Sequence, residues 1–189
     1  LGFRGVYGSL SGNKAKAFTK RAEILRSMGC AAIITVMHAG KEYEPKPDGY
    51  QHQIVTQAAP VSSLIIGHHP HIVQGVDTVG GIPVVYSLGN CVFGGNGNPK
   101  DHDALAVQAE LRFEEDELTG ITLHFYPISV TGEANYNDYS PVFLEGMGAE
   151  RVLRKMEEST GISPGTYDSG TGAVMHFQIE IGRAVQQEC

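Results

Sequence analysis

Three histidines stand within four residues near the middle of the chain, at His68, His69 and His71. They follow residues 64–66, a short apolar run that is typical of a buried strand, and Gly67 turns the chain before them. Neutral imidazole binds Zn, Fe, Mn and Ni, and histidines at a strand end commonly hold such ions. The group therefore predicts a metal-binding or catalytic site. The alternative is an exposed turn whose histidines only form hydrogen bonds.

Three further polar residues follow predicted strands and are candidates for the same site. His38 follows the apolar run at 31–37, and Asn90 lies in the turn after the run at 82–86, where it is predicted to donate a hydrogen bond. Polar groups at the carboxyl ends of strands commonly form the sites of α/β enzymes. Glu42 is predicted either to orient a metal ligand or to be a solvated charge in a polar loop. Further donors nearby in the sequence are Asp77, Asp101, His102 and Asp103.

The pattern along the chain predicts an α/β fold. A strand at 1–7, a helix at 13–28 and a strand at 31–37 form a βαβ unit that ends at His38. The chain then changes to antiparallel β character. The remaining predicted elements are a helix at 51–59, strands at 64–66 and 82–86, a hairpin of strands at 105–113 and 121–126, a helix at 150–159 and a strand at 175–181.

The composition limits the classes of function. The chain has 189 residues, 41% of them hydrophobic, which is enough for one sizeable core. Its net charge of −7 argues against a nucleic-acid-binding protein. No apolar run approaches the ~20 residues that a membrane-spanning helix needs. Because the first residue is Leu1 rather than Met, we expect a piece of a longer protein, with any targeting segment upstream.

Four motifs, in order along the chain, resemble the CapA-type capsule synthesis proteins, which are associated with poly-γ-glutamate and related to the calcineurin-like metallophosphoesterases. The family's HWG-x-E motif stands as HAGKE at 38–42, and its proline-then-glutamine helix start stands as Pro47 and Gln51. GHHPHxxQ occupies 67–74, and YSLGNFxF stands as YSLGNCVF at 86–93. The combination is far more specific than any one of its motifs.

The resemblance implies a fold of stacked mixed sheets flanked by helices, of the metallophosphoesterase kind. This chain would be the C-terminal half of that domain at residues 1–130, followed by a C-terminal extension at 131–189. Ala39 and Cys91 depart from the Trp and Phe that are usual in the family. The family's N-terminal motifs, which carry further metal ligands, are not found here. The chain by itself is therefore expected to be inactive.

The resemblance also implies roles for the histidines. His38, His69 and His71 would bind a divalent metal, Mn, Fe or Zn, with up to two ions in the full-length protein. The extra histidine leaves open whether His68 or His69 is the ligand. Since the family's H-x-H spacing favours His69, His68 is the candidate that protonates the leaving oxygen. Glu42 and Asn90 are expected to help bind the cofactor.

The implied function is capsule or surface poly-γ-glutamate biosynthesis, through metal-dependent hydrolysis of a phosphoester or related bond. The alternative is a non-catalytic component of capsule assembly that binds polymer. The expected partner is an anionic surface polymer or its precursor, in a bacterial protein associated with the cell envelope through an upstream segment. Where upstream strands are missing, an exposed sheet edge would favour a homodimer.

Overall fold

A computed structural model describes residues 15–91, 94–133 and 135–179. The helices are α1 (Ala15–Ser27), α2 (Gly49–Ala58) and α3 (Gly146–Thr160), and a 3₁₀ turn occupies Ala59–Val61. The strands are β1 (Ile34–His38), β2 (Leu64–His68), β3 (Val73–Val79), β4 (Ile82–Leu88), β5 (Asp103–Glu114), β6 (Glu117–Ser129), β7 (Val142–Phe143) and β8 (Ala173–Gln178). The strand predicted at 1–7 lies outside the described residues.

The first sheet has the order β1-β2-β4-β3. β1, β2 and β4 are parallel, and β3 returns antiparallel to β4. Neighbouring residues of β2 point to opposite faces: Ile65 packs with Val55 of α2, whereas Leu64 packs with residues of the second sheet. Burial on both faces explains why β2 and β4 are continuous apolar runs rather than alternating ones.

The second sheet is built on the β5–β6 hairpin. The alternating pattern predicts this hairpin, and the structure confirms it and extends both strands. β7 and β8 both pair antiparallel with β6, on the side away from β5. A bridge between Gly89 and Ala104 joins the two sheets just after β4. Two sheets flanked by helices confirm the predicted α/β class.

Helix α3 packs between the two sheets through one apolar face. Its buried residues recur at three- and four-residue spacing, which is one stripe of a helix; they include Ala149, Val152, Leu153 and Met156. The helix ends at Gly161, whose φ of +80° suits the left-handed cap position. Core residues from both sheets and from α3 form one cluster. This cluster is the main hydrophobic core of the described chain.

The sequence pattern does not predict β3. Its residues include the polar Gln74 and Asp77, and Gly75 interrupts the apolar alternation. A Cβ atom at residue 75 would overlap the Met156 carbonyl oxygen and the Thr160 hydroxyl, so glycine lets α3 lie directly on this strand. The packing of a distant helix therefore decides the local structure.

No helix among the described residues is long and apolar enough to cross a membrane.

Candidate metal centre

The ends of β1 and β2 place two histidines side by side. In the parallel register His38 lies opposite His68, and the Ala39 N–H donates to the His68 carbonyl oxygen at 3.1 Å. Gly67 precedes His68 because a Cβ atom there would overlap the Tyr86 carbonyl oxygen of β4. Close approach of β2 to β4 thus fixes the position of the strand end at which the histidine turn begins.

The turn after β2 has an unusual backbone. His69 has a φ of +100° and His71 a φ of +57°, a region that residues with a Cβ atom rarely adopt. Such conformations cost about 1–3 kcal/mol each and concentrate at functional sites. The Tyr43 N–H donates to the Pro70 carbonyl oxygen at 2.7 Å, which ties the loop after β1 to this turn. The two segments that carry candidate ligands are therefore joined directly.

Glu42, His69 and His71 form a group with the spacing of metal ligands. Each offers one ligand atom, and the three atoms lie within 4.8 Å of one another. The carboxylate is exposed and the two imidazoles are half-buried, so the group opens to solvent. A carboxylate with two imidazoles is a donor set of catalytic zinc sites and also suits iron. The residues present therefore fit a divalent ion, and Glu42 lies where it can be a ligand itself.

His38 lies beside this group rather than within it. Its Nε2 atom is 3.2 Å from His69 Nδ1. Two nitrogens that bind one ion at about 2.1 Å each lie about 3.0–3.4 Å apart at tetrahedral or octahedral angles. The same distance accommodates a hydrogen bond between a protonated and an unprotonated nitrogen. His38 can thus serve as a hydrogen-bond partner of His69 or as a further donor to the ion.

Asn90 determines which nitrogen of His71 carries the proton. The buried amide nitrogen of Asn90 donates to the carbonyl oxygens of His71, at 3.2 Å, and Asp101, at 3.1 Å. Its Oδ1 atom must then accept from His71 Nδ1, at 2.7 Å. In neutral His71 the lone pair is consequently on Nε2, which is the state that a metal ligand needs. The contacts of Asn90 are therefore with His71 and with the loop before β5, and a role in binding the cofactor stays a prediction.

Two buried glutamines hold the loop that carries Glu42. Gln51 Nε2 donates to Gln74 Oε1 at 2.8 Å, and Gln74 Nε2 donates to the Glu44 carbonyl oxygen at 2.9 Å. Gln51 also forms a capping box with Asp48 at the start of α2. Both glutamines lie in the family's motifs, which predict a helix start at Gln51 but not the hydrogen bond between the two side chains. The D-x-x-Q spacing of the capping box was the available signal.

His68 lies in a different environment from the other two histidines of the turn. Burial, and secondly the charge of His38, lower the pKa of His68 below its usual value. The lowered pKa favours the neutral imidazole at pH 7. A neutral imidazole accepts a proton more readily than it donates one. The assignment of His68 as a proton donor stays a prediction.

Two of the other candidate donors form ion pairs with α3. Arg151 donates to both carboxylate oxygens of Asp103, at 2.7 and 3.0 Å, and Lys155 Nζ lies 2.6 Å from Asp101 and 2.8 Å from Asp103. Burial alone would raise the pKa of Asp103, but the hydrogen bonds from Arg151 and Lys155 outweigh it and hold that pKa below its usual range. These carboxylates therefore anchor the loop before β5.

The comparisons with known proteins agree with the motifs. Residues 7–95 match the family described as Bacterial capsule synthesis protein PGA_cap. The chain is 31% identical over 96 residues to the PGA biosynthesis protein CapA of Bacillus subtilis (strain 168), covering 49% of this chain and 25% of that protein. It is 35% identical over 129 residues to the Capsule biosynthesis protein CapA of Bacillus anthracis, covering 68% of this chain and 29% of that protein.

The fold and the site define the class: an α/β protein with a carboxylate–histidine group near the carboxyl ends of its parallel strands. The chain belongs to the CapA-type capsule synthesis family, as its motifs predict. It spans between a quarter and a third of the length of the relatives that it matches. The matched segment includes Glu42, the histidine turn and Asn90.

Proposed function

We propose that this chain carries part of the divalent-metal site of a hydrolase that acts on a phosphoester or related bond in capsule synthesis. The observation that supports the proposal is the convergence of one ligand atom each from Glu42, His69 and His71. The Bacillus subtilis relative is a PGA biosynthesis protein, so a poly-γ-glutamate capsule is the setting that we propose. An anionic polymer or its precursor would be the partner.

Each residue of the site has a task that its contacts support. Glu42, His69 and His71 would hold the ion, Mn, Fe or Zn, and His38 would orient His69 or join it. When bound, such an ion supplies a Lewis acid for a phosphoryl or carbonyl oxygen. Asn90 keeps the His71 lone pair on Nε2. The Gln51–Gln74 pair fixes the loop that carries Glu42, so that its carboxylate does not have to be ordered when the ion arrives.

Calorimetric titration of the chain with Mn²⁺ and Zn²⁺ tests the metal site. Three variants are compared with the unsubstituted chain: Glu42→Gln, His71→Ala and, as a control, His176→Ala. His176 is exposed on β8, where its Nδ1 lies 3.0 Å from the Thr122 hydroxyl, far along the sequence from the site. We expect Glu42→Gln and His71→Ala to weaken binding at least about tenfold, which is about 1.4 kcal/mol, and His176→Ala to leave it unchanged. Equal affinities in all four proteins would contradict the proposal.

Turnover tests the hydrolase part separately. Generic phosphodiester and γ-glutamyl substrates are incubated with the protein at its full natural length, with and without the metal that binds. Metal-dependent hydrolysis that His71→Ala abolishes supports the proposal. Tight metal binding without turnover of either substrate favours the alternative, a non-catalytic component of capsule assembly that binds polymer.

A further inference from the structure

The positive charges of the central chain are confined to the two loops that border the metal group. Between residues 28 and 111 the sequence contains only three lysines and no arginine. Lys41 and Lys46 lie in the loop that carries Glu42, and Lys100 lies in the loop before β5. The chain as a whole carries a net charge of −7, so this distribution is not a general basic surface. Both loops also carry carboxylates, so what lies beside the candidate metal ligands is individual lysines rather than a basic patch.

Lys100 has a defined place next to the metal group. Its Nζ atom lies 4.7 Å from the centroid of the Tyr43 ring, which is the geometry of a cation–π contact. The Tyr43 ring in turn lies 6.2 Å from the ring of His71. The Tyr43 ring is therefore a neighbour of both the ammonium group and the histidine ring. Because Lys100 is exposed, its ammonium group can reach an incoming ligand.

The segment around Lys100 is anchored on both sides. Pro99 before it is buried, and Asp101 after it accepts two hydrogen bonds from Lys155 of α3, at 2.6 and 2.8 Å. The Asp101 carbonyl oxygen also accepts from Asn90, the residue that orients His71. The backbone of Lys100 is therefore fixed relative to the metal group, unlike that of a lysine in an unanchored surface loop.

Tyr43 is anchored as well. It has a φ of +58°, and its N–H bond to the Pro70 carbonyl oxygen holds it in that conformation between Glu42 and the histidine turn. Lys41, by contrast, has a side chain that is 74% exposed, and its ammonium group lies 3.4 Å from Glu44. Lys100 therefore contacts the ring beside the histidine turn, whereas Lys41 pairs with Glu44.

We propose that Lys100, supported by Tyr43, forms an anion-binding subsite beside the metal group. It binds a carboxylate or phosphate group of the substrate that is adjacent to the group held at Glu42, His69 and His71. The inference deepens the proposed function and rests on it, because only that function makes the bound anion a substrate. An anion that spans both positions would be a polyanion or its activated precursor. An ammonium group on an aromatic face suits either kind of anion.

The test measures anion binding rather than activity. Inorganic phosphate and tri-γ-glutamate are titrated by calorimetry into the full chain, with and without saturating Zn²⁺. The variant is Lys100→Met, which keeps most of the aliphatic stem and removes the charge. Lys41→Met is the matched control, since it removes the same charge from the neighbouring loop. We expect Lys100→Met to weaken anion binding at least about fivefold and Lys41→Met less than about twofold, with the difference shrinking as salt is raised.

The two anions identify the source of the charge that Lys100 binds. Phosphate affinity that depends on Lys100, with no such dependence for tri-γ-glutamate, assigns a phosphoryl group; the reverse assigns a polymer carboxylate. Equal losses in Lys100→Met and Lys41→Met, or no loss in either, would overturn the subsite. A loss of Zn²⁺ affinity in Lys100→Met would overturn it too, because Lys100 would then act through the metal ligands.

The outcome is separable from that of the metal proposal. If Zn²⁺ does not bind but anion affinity still depends on Lys100, the metal site proposed for this chain is wrong and the subsite stands. If Zn²⁺ binds through Glu42 and His71 but anion affinity is indifferent to Lys100, the subsite is wrong and the metal site stands.

Discussion

The β5–β6 hairpin and the histidine turn at 67–71 are built in opposite ways. The hairpin pairs twelve positions in register, with one irregularity between Arg112 and Phe113, and its apolar residues on β6 are buried in the core. The turn leaves β2 after His68 and holds His69 and His71 at positive φ. The difference indicates a division of tasks: regular pairing supplies stability, and the irregular turn uses some of that stability to hold two histidines in an unfavourable backbone conformation.

The largest expected effect lies in the hairpin. Phe125 of β6 is fully buried in the core shared by both sheets and α3. We expect Phe125→Ala to lower the free energy of unfolding by about 3–5 kcal/mol, measured by urea denaturation. Phe113→Ala is the control, because the Phe113 side chain is 43% exposed. At low temperature, where the variant is folded, its Zn²⁺ affinity should match that of the unsubstituted chain. A large change in Zn²⁺ affinity would show that the hairpin core also determines the geometry of the metal group.

Gly67→Ala tests where the two regions meet. The added methyl group would overlap the Tyr86 carbonyl oxygen, which is backbone and cannot move aside. We expect a loss of about 1–3 kcal/mol in the free energy of unfolding, with a loss of metal binding because the strand end that begins the turn shifts. Gly49→Ala is the matched control, since no atom lies within 4 Å of a Cβ atom there. Similar stability of the two variants would show that the β2–β4 contact is not tight.

Asn90→Ala separates orientation from ligation. Without its amide, His71 loses the partner that fixes the proton on Nδ1. We expect Zn²⁺ affinity to fall about 10- to 100-fold by calorimetry, the usual loss when a residue that orients a ligand is removed. Asn98→Ala in the exposed loop is the control. Affinity equal to that of the control would mean that His71 does not bind the ion through Nε2.

His69→Gly should reveal the strain of the turn. Glycine adopts a φ of +100° without a Cβ penalty, so we expect this variant to be about 1 kcal/mol more stable than the unsubstituted chain in urea, and to bind Zn²⁺ at least about tenfold more weakly. The same substitution at His176, in the regular strand β8, should instead destabilise the chain. Destabilisation of both variants alike would show that the turn stores no strain.

The smallest expected effect is a pH dependence. The folded pKa of Asp103 lies below its unfolded value, so the ion pairs with Arg151 and Lys155 stabilise the fold above the unfolded pKa of about 4. That contribution is lost as the pH falls further, through the folded pKa. We expect urea denaturation from pH 6 down to pH 3 to show a decline that is weaker in Asp103→Asn. Asp116→Asn, in the exposed hairpin turn, should decline like the unsubstituted chain.

The sequence predicts the β5–β6 hairpin better than it predicts the histidine turn. Alternation from Leu105 to Phe113 is sufficient for a strand, because over most of its length the apolar face is more buried than the polar one. The strand β3 could not be found in this way, since its Gly75 is explained only by α3, some eighty residues later. Histidine spacing indicates a metal site, but periodicity carries no information on positive φ. Glu42 lies among the potential ligands because the Tyr43–Pro70 and Gln74–Glu44 hydrogen bonds hold its loop there. The sequence does not show these long-range contacts.

The central claim is that one ion binds at Glu42, His69 and His71. Its most direct test is a crystal of the chain grown with Zn²⁺ and measured on both sides of the zinc absorption edge. We expect one anomalous difference peak about 2.0–2.2 Å from a Glu42 oxygen, a His69 ring nitrogen and His71 Nε2. A peak at other residues, or none at a zinc concentration that saturates binding in solution, would contradict the account.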